Sequence, residues 1–353
     1  MKRKRTIVLL ITVMLVIFSS FTTMAKTVAK IGGTSYSSLQ KAADAVKKGQ
    51  TIKLVSDVKL NSDIDFQKKT KYTLNLNKHK IHTKTWYSVR ISAGSVTIKN
   101  GTVYAPIRIR EKASVTVTSG TYKRRKGDSG NILFDNSGKL TIKGGSFNGS
   151  STAVGKKSSL KITGGKFSCT ESASMPFNTR DGCKATISGG SFKGDVSNGG
   201  TMTISGGTFT SISNSGGKLT IKKAKVNGCV INTGGTMTIK NGTFHYDGMQ
   251  HSSDTKSSDH TTLVIFSGKV TILGGTFTNK YCSVINLHHK NTNVWGSNLS
   301  DETHLIVKGG SIRTTSVNET PVTMSKEVKD KVKLTLNYKA FPGVPADKVV
   351  DYL

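Results

Sequence analysis

Histidine and aspartate gather toward the carboxyl end of this 353-residue chain. His245, His251, Asp254, Asp259 and His260 fall in one short stretch, and His288, His289, Trp295, Asp301, Glu302 and His304 in another; together they hold six of the eight histidines. Imidazole titrates near neutrality, so beside a carboxylate it can move a proton or hold a metal. His251, Asp254, Asp259, His288 and His289 are the candidate catalytic groups. Trp295, with Tyr246 and Tyr281, offers flat rings on which a sugar can stack. The two stretches depart from the surrounding pattern after Phe244 and after Asn286, at different points of the repeat, so they need not face one another.

The second chemical resource is cationic. Lysine and arginine number 52 against 20 acids, a net charge of +32. Lys139, Lys184, Lys218 and Lys269 recur two residues before a threonine, and Lys99, Lys143, Lys222, Lys240 and Lys308 recur two residues after the same place. That place reads Thr97, Thr116, Thr141, Thr186, Thr203, Thr220, Thr238 and Thr271, interrupted by Lys161 and Ile306. An extended strand sends such alternate residues to one face, so the pattern predicts a threonine stripe edged by lysines. Linear polyanions are the expected partners. A solubilising lysine coat is the bland alternative, since threonine suits exposed strands and lysine blocks edge pairing. Lysine also breaks the flat, weakly charged surface that ice binding needs. A further basic run, Lys123-Arg-Arg-Lys126, reads as a solvated loop tip with phosphate- or carboxylate-gripping potential.

These residues ride on an internal repeat of the form hydrophobic-Thr-hydrophobic-x-Gly-Gly-(Ser/Thr)-Phe. Its final glycines, with Ala224 standing in once, are Gly101, Gly120, Gly145, Gly165, Gly190, Gly207, Ala224, Gly242, Gly275 and Gly310, at spacings of 19, 25, 20, 25, 17, 17, 18, 33 and 35. A unit near 17 to 20 residues is too short for paired helices. It alternates like a strand and cannot bury its apolar side alone, so it must stack. Two residues past the glycines stand Phe147, Phe167, Phe192, Phe209, Phe244 and Phe277, with Val103, Tyr122, Val226 and Ile312 at the same place: an expected internal column. Asn136, Asn178, Asn198, Asn214, Asn232 and Asn286 end short apolar runs and form a second expected column, where asparagine tolerates left-handed backbone at a corner.

With those two columns the chain resembles the right-handed parallel β-helices of the pectate-lyase-like group, over roughly residues 51–340. The resemblance implies an all-β solenoid with an asparagine ladder. The segment from Ala29 to Val55 also resembles the opening of secreted β-helix proteins of Gram-positive bacteria. Ser37 with Gln40 reads as a capping box, Leu39, Ala42, Ala43 and Val46 share a helical face, and Gly49 stops the helix, so residues 26–50 are expected to cap the first rung. Residues 341–353 are left as a tail, although Lys333-Leu-Thr-Leu-Asn-Tyr338 looks like one more strand. Polygalacturonase-like members carry Asn-Thr-Asp, Asp-Asp and Gly-His-Gly; here Asn178-Thr179 is followed by Arg180-Asp181, and the other two motifs do not occur. Without paired carboxylates, glycoside hydrolysis lacks its acid and its base. Lyases of the group use calcium-binding acids and a basic residue, which Arg108, Arg110 and Glu111 imitate only in part. Calcium is thus expected only if the chain is a lyase, and otherwise no cofactor or metal.

Residues 1–25, with Lys2-Arg-Lys-Arg5, an apolar core from Ile7 to Phe18 and Thr23-Met24-Ala25, read as a secretory signal, or as an amino-terminal membrane anchor if uncut. Without those four basic residues the charge excess falls from +32 to +28. So large an excess favours a polyanion outside the cell: teichoic acid, acidic polysaccharide, extracellular DNA or an anionic lipid surface. Four cysteines are sparse for a disulfide scaffold; Cys169 with Cys183 is the pair left open to bridging. The expected function is a secreted or cell-surface, non-catalytic solenoid that binds an anionic glycan or wall polymer. The competing classes are a polysaccharide lyase or hydrolase and a structural or adhesive rod.

Overall fold

The computed structural model describes residues 26–124, 132–169, 175–247, 261–287, 303–316 and 319–352. Among these residues thirty-six strands, nearly all paired in parallel, wind into a three-sided β-solenoid. Gly94–Lys99, Thr102–Tyr104 and Ile107–Ile109 make one turn, and Ala113–Val117 opens the next directly beside Gly94–Lys99. Stacking turns in this way produces three sheets, named here for their recurrent residues: threonine, phenylalanine and asparagine.

The threonine sheet runs from Thr51–Leu54 to Val332–Leu336. In Lys139–Ile142, Leu140 and Ile142 are buried while Lys139 is exposed and Thr141 half-buried, the alternation the repeat predicts. On the next sheet the aromatic column is in register: Val103 beside Tyr122, then Phe147, Phe167, Phe192, Phe209, Val226, Phe244, Phe277 and Ile312. From Phe147 to Phe209 successive ring centroids lie 4.6–4.7 Å apart and nearly parallel. That is the strand spacing itself, about 4.8 Å, so the backbone sets the stacking distance. The glycine pair before each ring is a steric requirement. A Cβ on Gly206 would stand 2.5 Å from the Ser188 carbonyl oxygen, and Gly207 has φ +111° with the Phe209 ring 3.1 Å from any added Cβ.

The asparagine column differs from the expectation in membership and in cause. Asn198, Asn214 and Asn232 stack, with Thr179 at the preceding rung; Asn178 and Asn286 sit one residue earlier, beside Ser197 and Val264. Nor is left-handed backbone the reason: among the described residues the positive-φ non-glycine residues are Asn77, Lys78 and Asn100, none of them in the column. The amides bond one another instead. Asn198 Nδ2 donates to Asn214 Oδ1 at 2.8 Å, Asn214 Nδ2 to Asn232 Oδ1 at 2.8 Å, and Asn232 Nδ2 to the Ser267 carbonyl at 2.6 Å. All three are fully buried, and this chain satisfies amides that water cannot reach.

A helix, Leu39–Ala45, covers the first rung, with Leu39, Ala42, Ala43 and Val46 buried as expected. Its cap is Ser38, not Ser37: Ser38 Oγ accepts from Lys41 N–H. Gln40 does not fold back into a capping box. Its amide pairs with the backbone of Asp65, accepting at 2.9 Å and donating at 3.0 Å, so it acts as a short piece of ladder that ties helix to solenoid. Ala29–Ile31 runs antiparallel between Thr34–Tyr36 and Thr51–Leu54 and closes the open edge. At the other end stacking continues past the prolines: Val350–Tyr352 pairs with Val322–Met324, while Ala340, Phe341 and Val349 are buried in the core. Among the described residues no disulfide joins Cys169 to Cys183.

Replacing the central amide, Asn214→Leu, strands a buried donor on Asn198 and a buried acceptor on Asn232. Each unsatisfied group costs about 1–3 kcal/mol, so urea unfolding should shift by at least about 2 kcal/mol. An unchanged midpoint would show the ladder to be dispensable. Phe192→Ala, which opens a cavity inside the stack, should cost about 3–5 kcal/mol in the same assay.

Candidate functional site

The threonine column on the outer face is longer than the repeat alone suggested. It runs Thr51, Thr73, Thr97, Thr116, Thr141, Lys161, Thr186, Thr203, Thr220, Thr238, Thr271, Ile306 and Thr335, each beside the next. Along one edge the order is Lys139, Ser159, Lys184, Thr201, Lys218, Thr236, Lys269, His304 and Lys333. Lysine therefore takes every second rung, which places the ammonium-bearing positions about 10 Å apart. Like charges on adjacent rungs repel, and a hydroxyl or imidazole between them halves the charge density.

The opposite edge is less regular. Backbone bonds bring Lys99, Thr118, Lys143, Thr163, Ser188, Ser205, Lys222, Lys240, Leu273, Lys308 and Asn337 into line. Lys222 and Lys240 are neighbours here, and Leu273, 41% exposed, interrupts the run. Of the nine lysines singled out from sequence, Lys139, Lys143, Lys184, Lys218, Lys222, Lys240, Lys269 and Lys308 are exposed and Lys99 is half-buried. No aspartate or glutamate occurs in any strand of this sheet. The acids lie elsewhere: Asp65, Asp135, Asp195 and Asp351 are all on strands of the asparagine sheet. Among strand residues the fold thus segregates charge, with a lysine-bearing, acid-free threonine sheet and strand-borne aspartates on the asparagine sheet alone.

The candidate catalytic residues His251, Asp254, Asp259, His288 and His289, together with Trp295, lie outside the described residues. The strands that bracket them are clear. Thr243–Tyr246 belongs to the phenylalanine sheet and Leu263–Ile265 to the asparagine sheet, whereas Ile285–Leu287 and Thr303–Val307 bracket the corner from asparagine to threonine sheet. The strands that flank the two segments thus belong to different corners of the rung. Of the described histidines, His245 and His304 stand on different sheets. His245 projects from the phenylalanine sheet, with Nδ1 2.7 Å from Thr278 Oγ1 and Nε2 3.8 Å from Asp247 Oδ2, while His304 stands in the lysine edge. Among the described residues no three His, Cys, Asp or Glu side chains are grouped to hold a metal, and no helix is long and apolar enough to cross a membrane.

Two acidic sites on the asparagine sheet were not anticipated. Near the amino end, Asp63 accepts from Ser88 N–H at 2.7 Å and from its hydroxyl at 3.0 Å, and meets Arg90 Nη2 at 2.5 Å. Burial works against ionisation there, but the Ser88 bonds and the Arg90 and Arg108 charges prevail and hold the carboxyl below its usual range. Farther along, Asp195 accepts from Ser211 Oγ at 3.1 Å and Ser213 Oγ at 2.5 Å; burial pushes this carboxyl up despite both hydroxyls. It borders a recess of about 340 Å³. The available sequence signal was Asp195 standing alone among acid-poor repeats, followed one rung later by Ser211, Ser213 and Ser215 at alternate positions.

Comparison with family models, with curated proteins and with solved structures finds no match to this chain.

The two carboxyls carry opposite signs in acid. A depressed Asp63 contributes stability that is present above the ordinary aspartate range, near pH 4, and is lost as pH falls through its folded value. A raised Asp195 favours the folded state below that range and loses the advantage as pH rises through its own folded value. Asp63→Asn should therefore destabilise the protein at pH 7, with a smaller deficit at pH 3. Asp195→Asn should cost most at low pH and least at neutrality. Urea midpoints across that range test both signs, and parallel profiles for the two variants would refute the assignment.

Proposed function

We propose that the threonine sheet is a non-catalytic binding surface for a linear anionic glycan or wall polymer, borne by a protein exported to the cell surface or medium. The observation that carries this reading is the acid-free sheet, edged on one side by lysine at every second rung. An exposed ion pair contributes only about 0–1 kcal/mol. A rigid row of them engages one polymer many times over, and parallel weak contacts multiply into useful affinity. Half-buried threonine hydroxyls between the lysine rows can bond sugar or phosphate oxygens, and the β-ladder holds every group in place before binding.

Kinship with the pectate-lyase-like group belongs to the same proposal. Its support is the stacked asparagine amides and the in-register aromatic column, which make the solenoid resemble that group in construction. Secretion rests on the signal-like residues 1–25, and the large positive charge supports a polyanionic partner there.

Binding of purified full-length chain to polygalacturonate and to teichoic acid, with release of reducing or unsaturated ends recorded together, tests this reading. Binding without product is expected, falling steeply between about 0.1 M and 1 M salt as the screening length shrinks from about 10 to 3 Å. The combined variant Lys139→Gln, Lys184→Gln, Lys218→Gln and Lys269→Gln should lose roughly tenfold or more in affinity at low salt and show a shallower salt dependence. Full retention by that variant would locate binding elsewhere. Polymer cleavage would replace this reading with an enzymatic one.

A further inference from the structure

The recess beside Asp195 has a composition unlike the rest of the surface. Its floor is the outward row of the asparagine sheet on four successive rungs, Asn178, Ser197, Ser213 and Ile231. Asp195 and Ser211 form one wall, Ser215 and Thr233 the other, and Met175 also lines the recess. Small side chains on neighbouring rungs leave the depression, at a volume within the usual range for small-molecule sites. Not one of its lining residues is lysine or arginine, in a chain with 52 of them.

The unused bonding capacity is specific. An ionised carboxylate accepts at about four sites, and Asp195 receives two serine hydroxyls. Ser197 and Ser215 Oγ lie 3.1 Å apart and pair with each other. Asn178 lines the recess, and its side-chain amide is left with both donor and acceptor to offer. Ile231 and Met175 add apolar surface. An anion would meet Asp195 with no cation to offset it. A cationic ligand would have to approach against a net charge of +32. A polyhydroxylated neutral molecule has neither difficulty: its hydroxyls can donate to Asp195 and accept from Asn178, and its C–H face can lie on Ile231 and Met175.

We propose that this groove is a second binding site, separate from the lysine-edged sheet, that takes a neutral sugar residue, with a short glycan lying along the rungs. The site does not depend on the polyanion reading, and salt separates the two. Calorimetric titration of the full-length chain with neutral cello-, xylo-, malto- and chito-oligosaccharides in about 1 M salt, where charge contacts are screened to about 3 Å, tests it. At least one of these glycans should bind. Asp195→Ala should weaken that binding roughly tenfold or more, and the four-lysine variant should leave it unchanged. Ile231→Trp, a change at a half-buried outward strand position that fills the groove while keeping Asp195 and its serines, should abolish it and decides the matter if Asp195→Ala fails to fold. Absence of binding to every glycan tested, or binding that survives the groove-filling variant, overturns the proposal.

Discussion

A strand of four or five residues that buries every second side chain depends on its register with the strands above and below. A slip of one residue would turn isoleucine to water and threonine to the core. In this solenoid the same constraint applies at every rung and on all three sheets at once. It is enforced from several sides: phenylalanine rings stack at the strand spacing, glycine pairs admit the neighbouring carbonyl, and buried asparagine amides bond along the axis. Because the interior is periodic, the exterior is too. A lysine two residues before a threonine in one repeat must lie in line with its counterparts two rungs away.

Periodicity also explains what was legible in the sequence. The aromatic column and the central threonines follow from counting, because position within the repeat maps directly onto position within the rung. The asparagines were harder. Asn178 and Asn286 end apolar runs just as Asn198 does, yet each stands one residue short of the ladder, and a shift of one is invisible unless the strand partner is known. The reason for asparagine is equally hidden, since side-chain amide bonding between rungs leaves no trace in local spacing. Gln40 shows the same limit: its partner, Asp65, lies 25 residues away, so a local capping rule assigned it the wrong bond. The Asp195 recess depends on which small residues align across four rungs, and only the observed register reveals that.

Charge follows the same geometry. Threonine-sheet strands that carry lysine but no acid, and asparagine-sheet strands that carry Asp65, Asp135, Asp195 and Asp351, give one solenoid two faces of different chemistry. The first is an extended row, suited to a long partner bound by many weak contacts. The second holds a recess with a carboxyl, hydroxyls and an amide, suited to one or a few sugar units. Under the two proposals together, one protein holds a charged polymer on one face and a neutral glycan on the other.

The most direct test of the account is a lysine footprint: chemical acetylation of exposed amines, read by mass spectrometry, with and without polygalacturonate at low ionic strength. The account predicts protection concentrated at Lys139, Lys184, Lys218 and Lys269, while Lys166 and Lys225, exposed on the phenylalanine sheet, react as freely as before. Equal protection on both sheets would contradict it, for it would mean that net charge, and not the register-aligned face, holds the polymer.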